Sequence, residues 1–93
     1  MTKRIHLFIS GRVQGVFYRA SAVRIAQKYG LYGFVKNLRD GRVEICAEGE
    51  TAAIEQLIQW CARGPKGAHV EHVETHWLET VPQNGKLESF EIC

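Results

Sequence analysis

The order of strand-like and helix-like segments along the chain limits it to a small number of folds. Ile5, Leu7 and Ile9 occupy every second position of residues 4–10, which is the period of a strand. Apolar residues then recur at helical spacing over about residues 21–29, and Gly30 is placed to end that helix. We therefore expect a strand followed by a helix in the first third of the chain.

A hairpin is predicted in the middle of the chain. Two β-rich segments, residues 32–37 and 42–48, are separated by a stretch that ends in Asp40-Gly41, a pair typical of hairpin turns. The alternation in the second segment places three residues on its inward face: Val43, Ile45 and Ala47. The two segments are therefore expected to pair antiparallel.

A second helix and two more strands complete the predicted pattern. Four side chains share one helical face at intervals of three or four residues: Ile54, Leu57, Ile58 and Cys61. Thr51 is the expected N-cap of this helix, and Gly64-Pro65 is its expected end. Further strands are expected near residues 70–78 and 89–92, joined by a polar turn at residues 83–87.

The resulting order, β-α-β-β-α-β with one central hairpin, predicts an α/β (α+β) fold of the ferredoxin-like kind. In this two-layer sandwich, two helices cover one face of an antiparallel sheet. Because 93 residues suffice for one hydrophobic core, we expect a single domain over residues 1–93.

The composition argues against large charged partners. The chain is 45% hydrophobic and 24% charged, and its net charge of +2 is too small to indicate a nucleic-acid or membrane surface. No apolar run approaches the roughly 20 residues that cross a bilayer, and the N-terminal residues do not have the pattern of a signal peptide. We therefore expect a cytoplasmic protein without nucleic-acid or membrane partners.

Neither the cysteines nor the histidines form a recognisable ligand or disulfide pattern. Cys46, Cys61 and Cys93 are few and scattered, so reduced thiols are expected, with Cys61 in the core. Of the three histidines at positions 69, 72 and 76, only His72 and His76 would share a strand face, and no ligand spacing accompanies them. We therefore expect surface packing here, and no metal or other cofactor.

Residues 11–19, G-R-V-Q-G-V-F-Y-R, lie between the first strand and the first helix. A glycine-bearing turn that leads into a helix exposes unpaired backbone N–H groups at the positive end of the helix dipole. Arg19 adds a rigid fork of donors suited to phosphate. The stretch lacks the Gly-Lys-Ser/Thr of a Walker loop and the third glycine of a dinucleotide fingerprint. It predicts an anion site, although the same glycines also occur in purely structural tight turns.

A second stretch, residues 30–44, reads G-L-Y-G-F-V-K-N-L-R-D-G-R-V-E. Together the two stretches closely resemble the acylphosphatase family, whose patterns are G-x-V-Q-G-V-x-[FY]-R and G-x-V-x-N-x-x-D-G-x-V-E. The matching positions in the first are Gly11, Val13, Gln14, Gly15, Val16 and Arg19, and those in the second are Gly33, Val35, Asn37, Asp40, Gly41, Val43 and Glu44. A looser resemblance extends over nearly the whole chain.

The resemblance implies the ferredoxin-like fold, hydrolysis of small acyl phosphates to a carboxylate and inorganic phosphate, and two catalytic residues, Arg19 and Asn37. In the family, the matching arginine holds the substrate phosphate with backbone amides of the loop, and the matching asparagine orients the attacking water. The phosphate-binding residues expected on this basis are Gly11, Arg12, Val13, Gln14, Gly15, Val16, Phe17, Tyr18 and Arg19. Inorganic phosphate is expected as product and inhibitor.

The chemistry of an acyl phosphate is consistent with so sparse a site. Its leaving group is a carboxylate, whose conjugate acid has a pKa of about 4, so no general acid is needed. The side chain of Asn37, at the end of a strand expected to lie beside the first one, can accept from water and donate but cannot act as a strong base. The loop contains no cysteine for a thiol-dependent phosphatase. Direct attack by water is therefore the expected route.

Two other functions fit the same fold less well. A non-catalytic module that binds phosphate or carbamoyl phosphate would keep the anion loop, and acylphosphatase-like domains also occur at the front of larger maturation enzymes. An RNA-binding domain would display aromatic side chains on its central strands, and Phe8 is one such ring. However, Glu44 and Glu48 would face the nucleic acid, which disfavours RNA binding.

Overall fold

The structure, a computed structural model, describes residues 2–78 and 89–93. It contains one sheet of five strands in the order β4-β1-β3-β2-β5 and two helices. The elements are β1 (Thr2–Arg12), α1 (Tyr18–Lys28), β2 (Tyr32–Asn37), β3 (Val43–Glu50), α2 (Thr51–Arg63), β4 (His69–Leu78) and β5 (Phe90–Ile92). The apolar faces of both helices and alternate residues of the strands form one core cluster, so both helices cover the same face of the sheet. The predicted ferredoxin-like sandwich is confirmed.

The sheet is mixed, which corrects the prediction of an antiparallel one. β1 pairs antiparallel with β3 and β4, and β2 pairs antiparallel with β3. β5, however, runs parallel to β2, and the Cys93 N–H donates to the Val35 carbonyl at 2.8 Å. A strand of three residues carries no sequence signal for its direction, because direction depends on which edge of the sheet the chain reaches.

The strand that ends in Asn37 does not lie beside β1, contrary to expectation, because β3 lies between them. β1 and β2 both pair antiparallel with β3 and therefore run in the same direction. Ile9 of β1 and Asn37 of β2 both face Val43 of β3 in the register of the sheet. The ends of β1 and β2 thus reach the same edge of the sheet, which is where the chain enters α1.

The strand alternation predicted for β3 is confirmed. Three of its side chains are buried in the core: Val43, Ile45 and Ala47. Glu48 is also buried, and its carboxylate lies 3.5 Å from the Arg4 guanidinium on the neighbouring strand. Cys61 is fully buried and unpaired, as predicted for a small core residue. Because successive strand residues point to opposite faces, this ion pair lies on the face of the sheet away from the helices, and the helices pack against apolar residues of β3.

The predicted hairpin between β2 and β3 is present. The Leu38 N–H donates to the Arg42 carbonyl at 2.8 Å, and the Gly41 N–H donates to the Leu38 carbonyl at 3.2 Å. Gly41 has a φ of 96°, which accounts for glycine at this position. Backbone and side-chain hydrogen bonds from Arg42 lower the pKa of the exposed Asp40 carboxyl. The turn is therefore fixed by its own short-range contacts.

α1 begins earlier than the sequence pattern indicated and ends in a regular motif. The Ser21 N–H already donates to the Phe17 carbonyl at 3.1 Å, so Ser21 lies within the helix and does not begin it. At the other end Gly30, with a φ of 69°, donates to the Gln27 carbonyl, and Leu31 donates to the Ala26 carbonyl at 2.9 Å. This pair of bonds is a Schellman motif, which confirms Gly30 as the stop signal.

α2 differs from its prediction at one end. Thr51 is the first helical residue, and Glu50, in an extended conformation, occupies the N-cap position that Thr51 was expected to hold. The helix ends at Arg63, and the Gly64 N–H donates to the Trp60 carbonyl at 2.7 Å, as the Gly64-Pro65 signal predicted. The polar turn predicted at residues 83–87 lies outside the described residues.

The face of the sheet that the helices leave open carries charged and aromatic side chains. The Phe8 ring lies 4.6 Å from the His6 ring and 4.9 Å from the Arg42 guanidinium, while His6 contacts Glu44 at 2.5 Å. Within residues 2–78 and 89–93, no group of three side chains is arranged to hold a metal ion. The helices of this part of the chain are also too short or too polar to cross a membrane.

Candidate active site

The segment between β1 and α1 carries two residues with positive φ, Gly15 at 76° and Phe17 at 61°. Nothing lies within 4 Å of a Cβ built on Gly15, so glycine is favoured there by its backbone conformation alone. Successive amide N–H groups in a turn that contains left-handed residues can face one side and form a concave surface for anions. The two positive φ values of this loop are consistent with such a turn.

Glycine is favoured at position 11 for a different structural reason. A Cβ at this position would lie 2.1 Å from the His69 carbonyl oxygen of β4. The register between β1 and β4 shifts between Ser10 and Gly11, so the two backbones approach closely at this irregularity. Gly11 thus permits the pairing that carries β1 as far as Arg12.

The N-terminus of α1 is not capped by a side chain. Its N-cap is Phe17, which has no capping hydrogen bond, and no acidic residue lies in the first turn. The first intrahelical bond comes from Ser21, so the amides of Tyr18, Arg19 and Ala20 have no acceptor within the helix. These donors and the positive end of the helix dipole could bind an anion without competition from a carboxylate in the first turn.

A cavity of about 280 Å³ opens at this helix end. Its lining residues are Val13, Gly15, Phe17, Tyr18, Arg19, Ala20, Asn37 and Ile92. Arg19, from the first turn of α1, and Asn37, from the end of β2, therefore line the same cavity although β3 separates β1 from β2. The volume is at the small end of the range for ligand sites, so it fits one phosphate with a small substituent.

Arg19 and Asn37, two polar side chains among the described residues that line the cavity, are largely without partners. Arg19 is half-buried and forms no ion pair or side-chain hydrogen bond with any residue in the described part of the chain. The Oδ1 atom of Asn37 is buried and has no hydrogen-bond partner among those residues either. A buried carbonyl oxygen without a donor costs about 1–3 kcal/mol. A water or ligand that donated to Asn37 would remove this cost, and an anion could pair with Arg19.

Gln14 connects the loop to the hairpin, a role that the sequence motif did not indicate. Its Nε2 atom donates to the Leu38 carbonyl at 2.8 Å and to the Arg42 carbonyl at 3.0 Å. Leu38 directly follows Asn37, and Arg42 lies across the turn from it. The side chain of Gln14 therefore fixes the distance between the loop and the end of β2.

Tyr18 contributes to the cavity without offering its hydroxyl. The ring packs in the core 5.0 Å from the Trp60 ring, and the hydroxyl donates to the Cys61 carbonyl at 2.8 Å. Burial raises the pKa of the Tyr18 hydroxyl far above its usual range, and burial also raises the pKa of the Cys61 thiol to about 12. Neither group is therefore a proton donor or nucleophile at neutral pH.

The nine residues expected to bind phosphate divide into two groups in the structure. Five line the cavity: Val13, Gly15, Phe17, Tyr18 and Arg19. The other four have other contacts: Gly11 and Arg12 pair with β4, Gln14 bonds to the hairpin, and Val16 packs against the core. Direct phosphate binding by either group stays a prediction.

Two lining residues were not expected from the sequence. Ala20 follows Arg19 in the first turn of α1, and a correct helix start would have identified its amide. Ile92 reaches the cavity because β5 pairs with β2 and places Ile92 opposite Val35. No local pattern indicates that pairing, so Ile92 had no signal in the sequence.

Comparison with known proteins gives one consistent result. The family model described as acylphosphatase matches residues 5–92. The chain is similar to the acylphosphatase of Rubrobacter xylanophilus, with 47% identity over 98% of this chain and 80% of that protein. Among solved structures it resembles acylphosphatase from Bacillus subtilis, with a TM-score of 0.91 and 32% identity over 100% of this chain and 99% of that one. It also resembles a segment of T. kodakarensis HypF, with a TM-score of 0.82 and 33% identity over 98% of this chain and 12% of that one.

Proposed function

The chain belongs to the acylphosphatase family and hydrolyses acyl phosphates, and we propose that it does so by direct attack of water on the phosphorus atom. In this proposal the loop amides and Arg19 hold the phosphate, and Asn37 orients the water. The observation that carries the proposal is that Arg19 and Asn37 line one small cavity at the uncapped end of α1.

The phosphate is held by charge and by backbone donors. The amides of Tyr18, Arg19 and Ala20 and the turn at Gly15 and Phe17 offer several N–H groups on one side. The Arg19 guanidinium, which has no carboxylate partner among residues 2–78 and 89–93, supplies two parallel donors to two phosphate oxygens. This arrangement offsets part of the phosphate charge and aligns the bond between phosphorus and the acyl oxygen.

Asn37 acts on the water. The Oδ1 atom accepts a hydrogen bond from the water. This bond satisfies a buried carbonyl oxygen that has no partner among the described residues. Gln14 holds the end of β2 at a fixed distance from the loop, so the water lies at a set position relative to the bound phosphate. The contribution of Asn37 is thus positional, since an amide is not a base.

The bond changes need no further protein group. The water oxygen bonds to phosphorus as the bond between phosphorus and the acyl oxygen breaks, and the electron pair leaves with the carboxylate. The water proton passes to an oxygen of the substrate phosphate. Because the transition state is loose, positioning and charge stabilisation supply most of the rate enhancement. Removing one hydrogen-bond donor to the phosphate would raise the barrier by about 2–4 kcal/mol. Among the described residues that line the cavity, no side chain carries a thiol or a carboxylate, and the one hydroxyl, that of Tyr18, is buried and bonded to the Cys61 carbonyl.

Hydrolysis of benzoyl phosphate by the purified chain in the presence of excess chelator tests the proposal. We expect turnover that chelator does not reduce, and competitive inhibition by inorganic phosphate, which occupies the same amides and Arg19. Activity that disappears with chelator and returns with a divalent ion would contradict the proposed route.

A second candidate is a phosphate- or carbamoyl-phosphate-binding module without turnover. This candidate is considered because the chain is also similar to a segment that makes up 12% of T. kodakarensis HypF, so the same fold occurs within a much longer protein. The same assay separates the two: a binding module would bind inorganic phosphate but would not hydrolyse any acyl phosphate.

The remaining parts of the proposal concern the setting of the reaction. We propose that residues 1–93 act as one domain in the cytoplasm, on a small acyl phosphate and without a nucleic-acid or membrane partner. The small cavity supports a small substrate, and the small net charge of +2 supports the absence of a nucleic-acid or membrane partner. Activity of the isolated chain in the assay above checks the first part.

A further inference from the structure

Two large apolar side chains border the cavity and are exposed to solvent. Phe17 is 83% exposed and Ile92 is 49% exposed, and both line the cavity that Arg19 and Asn37 share. They come from different elements, the N-cap of α1 and the last strand. Exposed apolar residues that are scattered singly need no explanation, but these two border the same cavity.

The ring of Phe17 has little part in the fold. The neighbouring Val16 packs against the core, whereas Phe17 is not among the side chains that do. The left-handed backbone of Phe17 also favours a different residue, because Gly or Asn adopts a φ of 61° more readily than Phe does. An aromatic side chain therefore occupies a position where neither the backbone nor the core requires one.

Ile92 is on the helix-covered side of the sheet but beyond the helix. Successive residues of a strand point to opposite faces, so Phe90 and Ile92 share a face. Phe90 is buried in the core, while Ile92 is half-exposed at the cavity. α1 covers Phe90 but leaves Ile92 open to whatever occupies the mouth of the cavity.

We propose that Phe17 and Ile92 form the subsite for the acyl group and that they favour acyl phosphates with an aromatic or branched aliphatic acyl group. The inference rests on the proposed function, since it assigns the other end of the same substrate. With the phosphate at the amides and Arg19, the acyl carbons leave the cavity past these two side chains. Apolar carbons that cover these two side chains gain binding free energy in proportion to the apolar area removed from water.

The charge of the cavity wall also favours an apolar acyl group. Arg19 is the one charged side chain among the described residues that line it, and the phosphate engages that group. A carboxylate, ammonium or second phosphate on the acyl part would lose hydration against Phe17 and Ile92 without gaining a partner there. Polar acyl phosphates are therefore the disfavoured class.

The test compares benzoyl phosphate with acetyl phosphate, using the ratio of their kcat/KM values in each variant. Phe17→Asn removes the ring while keeping a residue that tolerates a left-handed backbone, Phe17→Leu keeps an apolar side chain, and Ile92→Thr keeps a β-branched shape. Tyr32→Ala is the matched control, because Tyr32 is a 43% exposed aromatic residue of β2 that does not line the cavity.

We expect Phe17→Asn to lower the benzoyl-to-acetyl ratio by about tenfold, mainly through the KM of benzoyl phosphate. Ile92→Thr should lower it by about threefold, while Phe17→Leu should stay within about twofold of the wild type. Tyr32→Ala should leave the ratio unchanged.

An unchanged ratio in both Phe17→Asn and Ile92→Thr would overturn the subsite. So would an equal fall for the two substrates together with weaker inhibition by inorganic phosphate, because the ring would then support the loop. If the wild type hydrolysed neither substrate, the proposed function itself would fail. Ile92→Thr lies outside the loop and keeps the test decisive if Phe17→Asn does not fold.

Discussion

The two ends of α1 differ in how their unpaired backbone groups are satisfied. Every helix leaves unpaired amides at its start and unpaired carbonyls at its end. At the C-terminal end, Gly30 and Leu31 donate to carbonyls of the last turn, and Lys28 complements the negative end of the dipole. At the N-terminal end, Phe17 provides no cap and the first turn carries Arg19, a cation at the positive end of the dipole.

The difference shows which end is arranged for stability and which for binding. A cation in the first turn and an uncapped N-terminus each destabilise a helix, and a left-handed non-glycine residue adds strain. An anion bound at this end would reverse the first two effects at once. The C-terminal end is satisfied within the chain to a greater extent, because the carbonyls of Ala26 and Gln27 already accept from Leu31 and Gly30. The variants below test this division, from the largest expected effect on activity to the smallest.

Arg19→Lys should have the largest effect. It keeps the charge but replaces a planar fork of donors by a point charge, so the paired bonds to two phosphate oxygens are lost. We expect kcat/KM for benzoyl phosphate to fall by about a hundredfold or more, with weaker inhibition by inorganic phosphate. If both quantities stayed within about twofold, well under 1 kcal/mol, the fork would not serve the site.

Asn37→Ala should separate turnover from binding. Removing one well-placed polar group commonly costs on the order of a hundredfold in rate, so kcat should fall by about that amount. The inhibition constant of phosphate depends on Arg19 and the amides, and it should change little. Circular dichroism checks the fold. Equal losses in kcat and phosphate affinity would place Asn37 among the groups that bind the phosphate.

Gln14→Met should weaken the connection between the loop and the hairpin. Methionine has a similar length but cannot donate to the Leu38 and Arg42 carbonyls. Both carbonyls keep a backbone donor, so the loss of stability should be about 1–2 kcal/mol. We expect a fall in kcat of roughly tenfold or less, because Asn37 is less well positioned. Urea unfolding and steady-state kinetics measure the two effects, and an unchanged kcat would show that Gln14 serves stability alone.

Gly15→Ala and Gly30→Ala form a matched pair across the two ends. Both glycines have positive φ, 76° and 69°, and nothing lies within 4 Å of a Cβ built on either. Each substitution should therefore cost about 1–2 kcal/mol of unfolding free energy from backbone strain alone. Gly15→Ala should also weaken phosphate inhibition, whereas Gly30→Ala should leave it unchanged. Equal effects on phosphate inhibition would remove the distinction between the ends.

The fold was predictable where the signals are local. The bounds of β2, the Asp40-Gly41 turn and the two glycine stops at Gly30 and Gly64 are set by residues close in sequence, and the structure agrees with them. The start of α1 was placed too late because it was read from the apolar periodicity, which begins near residue 21, whereas the true N-cap is a left-handed phenylalanine, which gives no capping signal. Local rules failed at the helix end that lines the cavity.

The site was predictable only in part for a related reason. The motifs identified Arg19 and Asn37, and the parallel direction of β1 and β2 brings their elements to one edge of the sheet. The bonds from Gln14 and the arrival of Ile92 depend on contacts between distant parts of the chain. The parallel pairing of β5 belongs to the same group, since a three-residue strand does not encode its partner.

The sheet order has a consequence for how the chain folds. β1 lies inside the sheet between β4 and β3, and its pairs include Arg4 with Leu78 and Thr2 with Glu50. Among the described strands, the β2–β3 hairpin is the one pairing that joins neighbours in sequence. Most pairings therefore close long loops, and the entropy of loop closure is lost before the strand contacts stabilise the chain. Topologies dominated by such non-local pairings fold in about milliseconds to seconds. We expect the chain to refold slowly for its length, with the hairpin as its earliest paired unit.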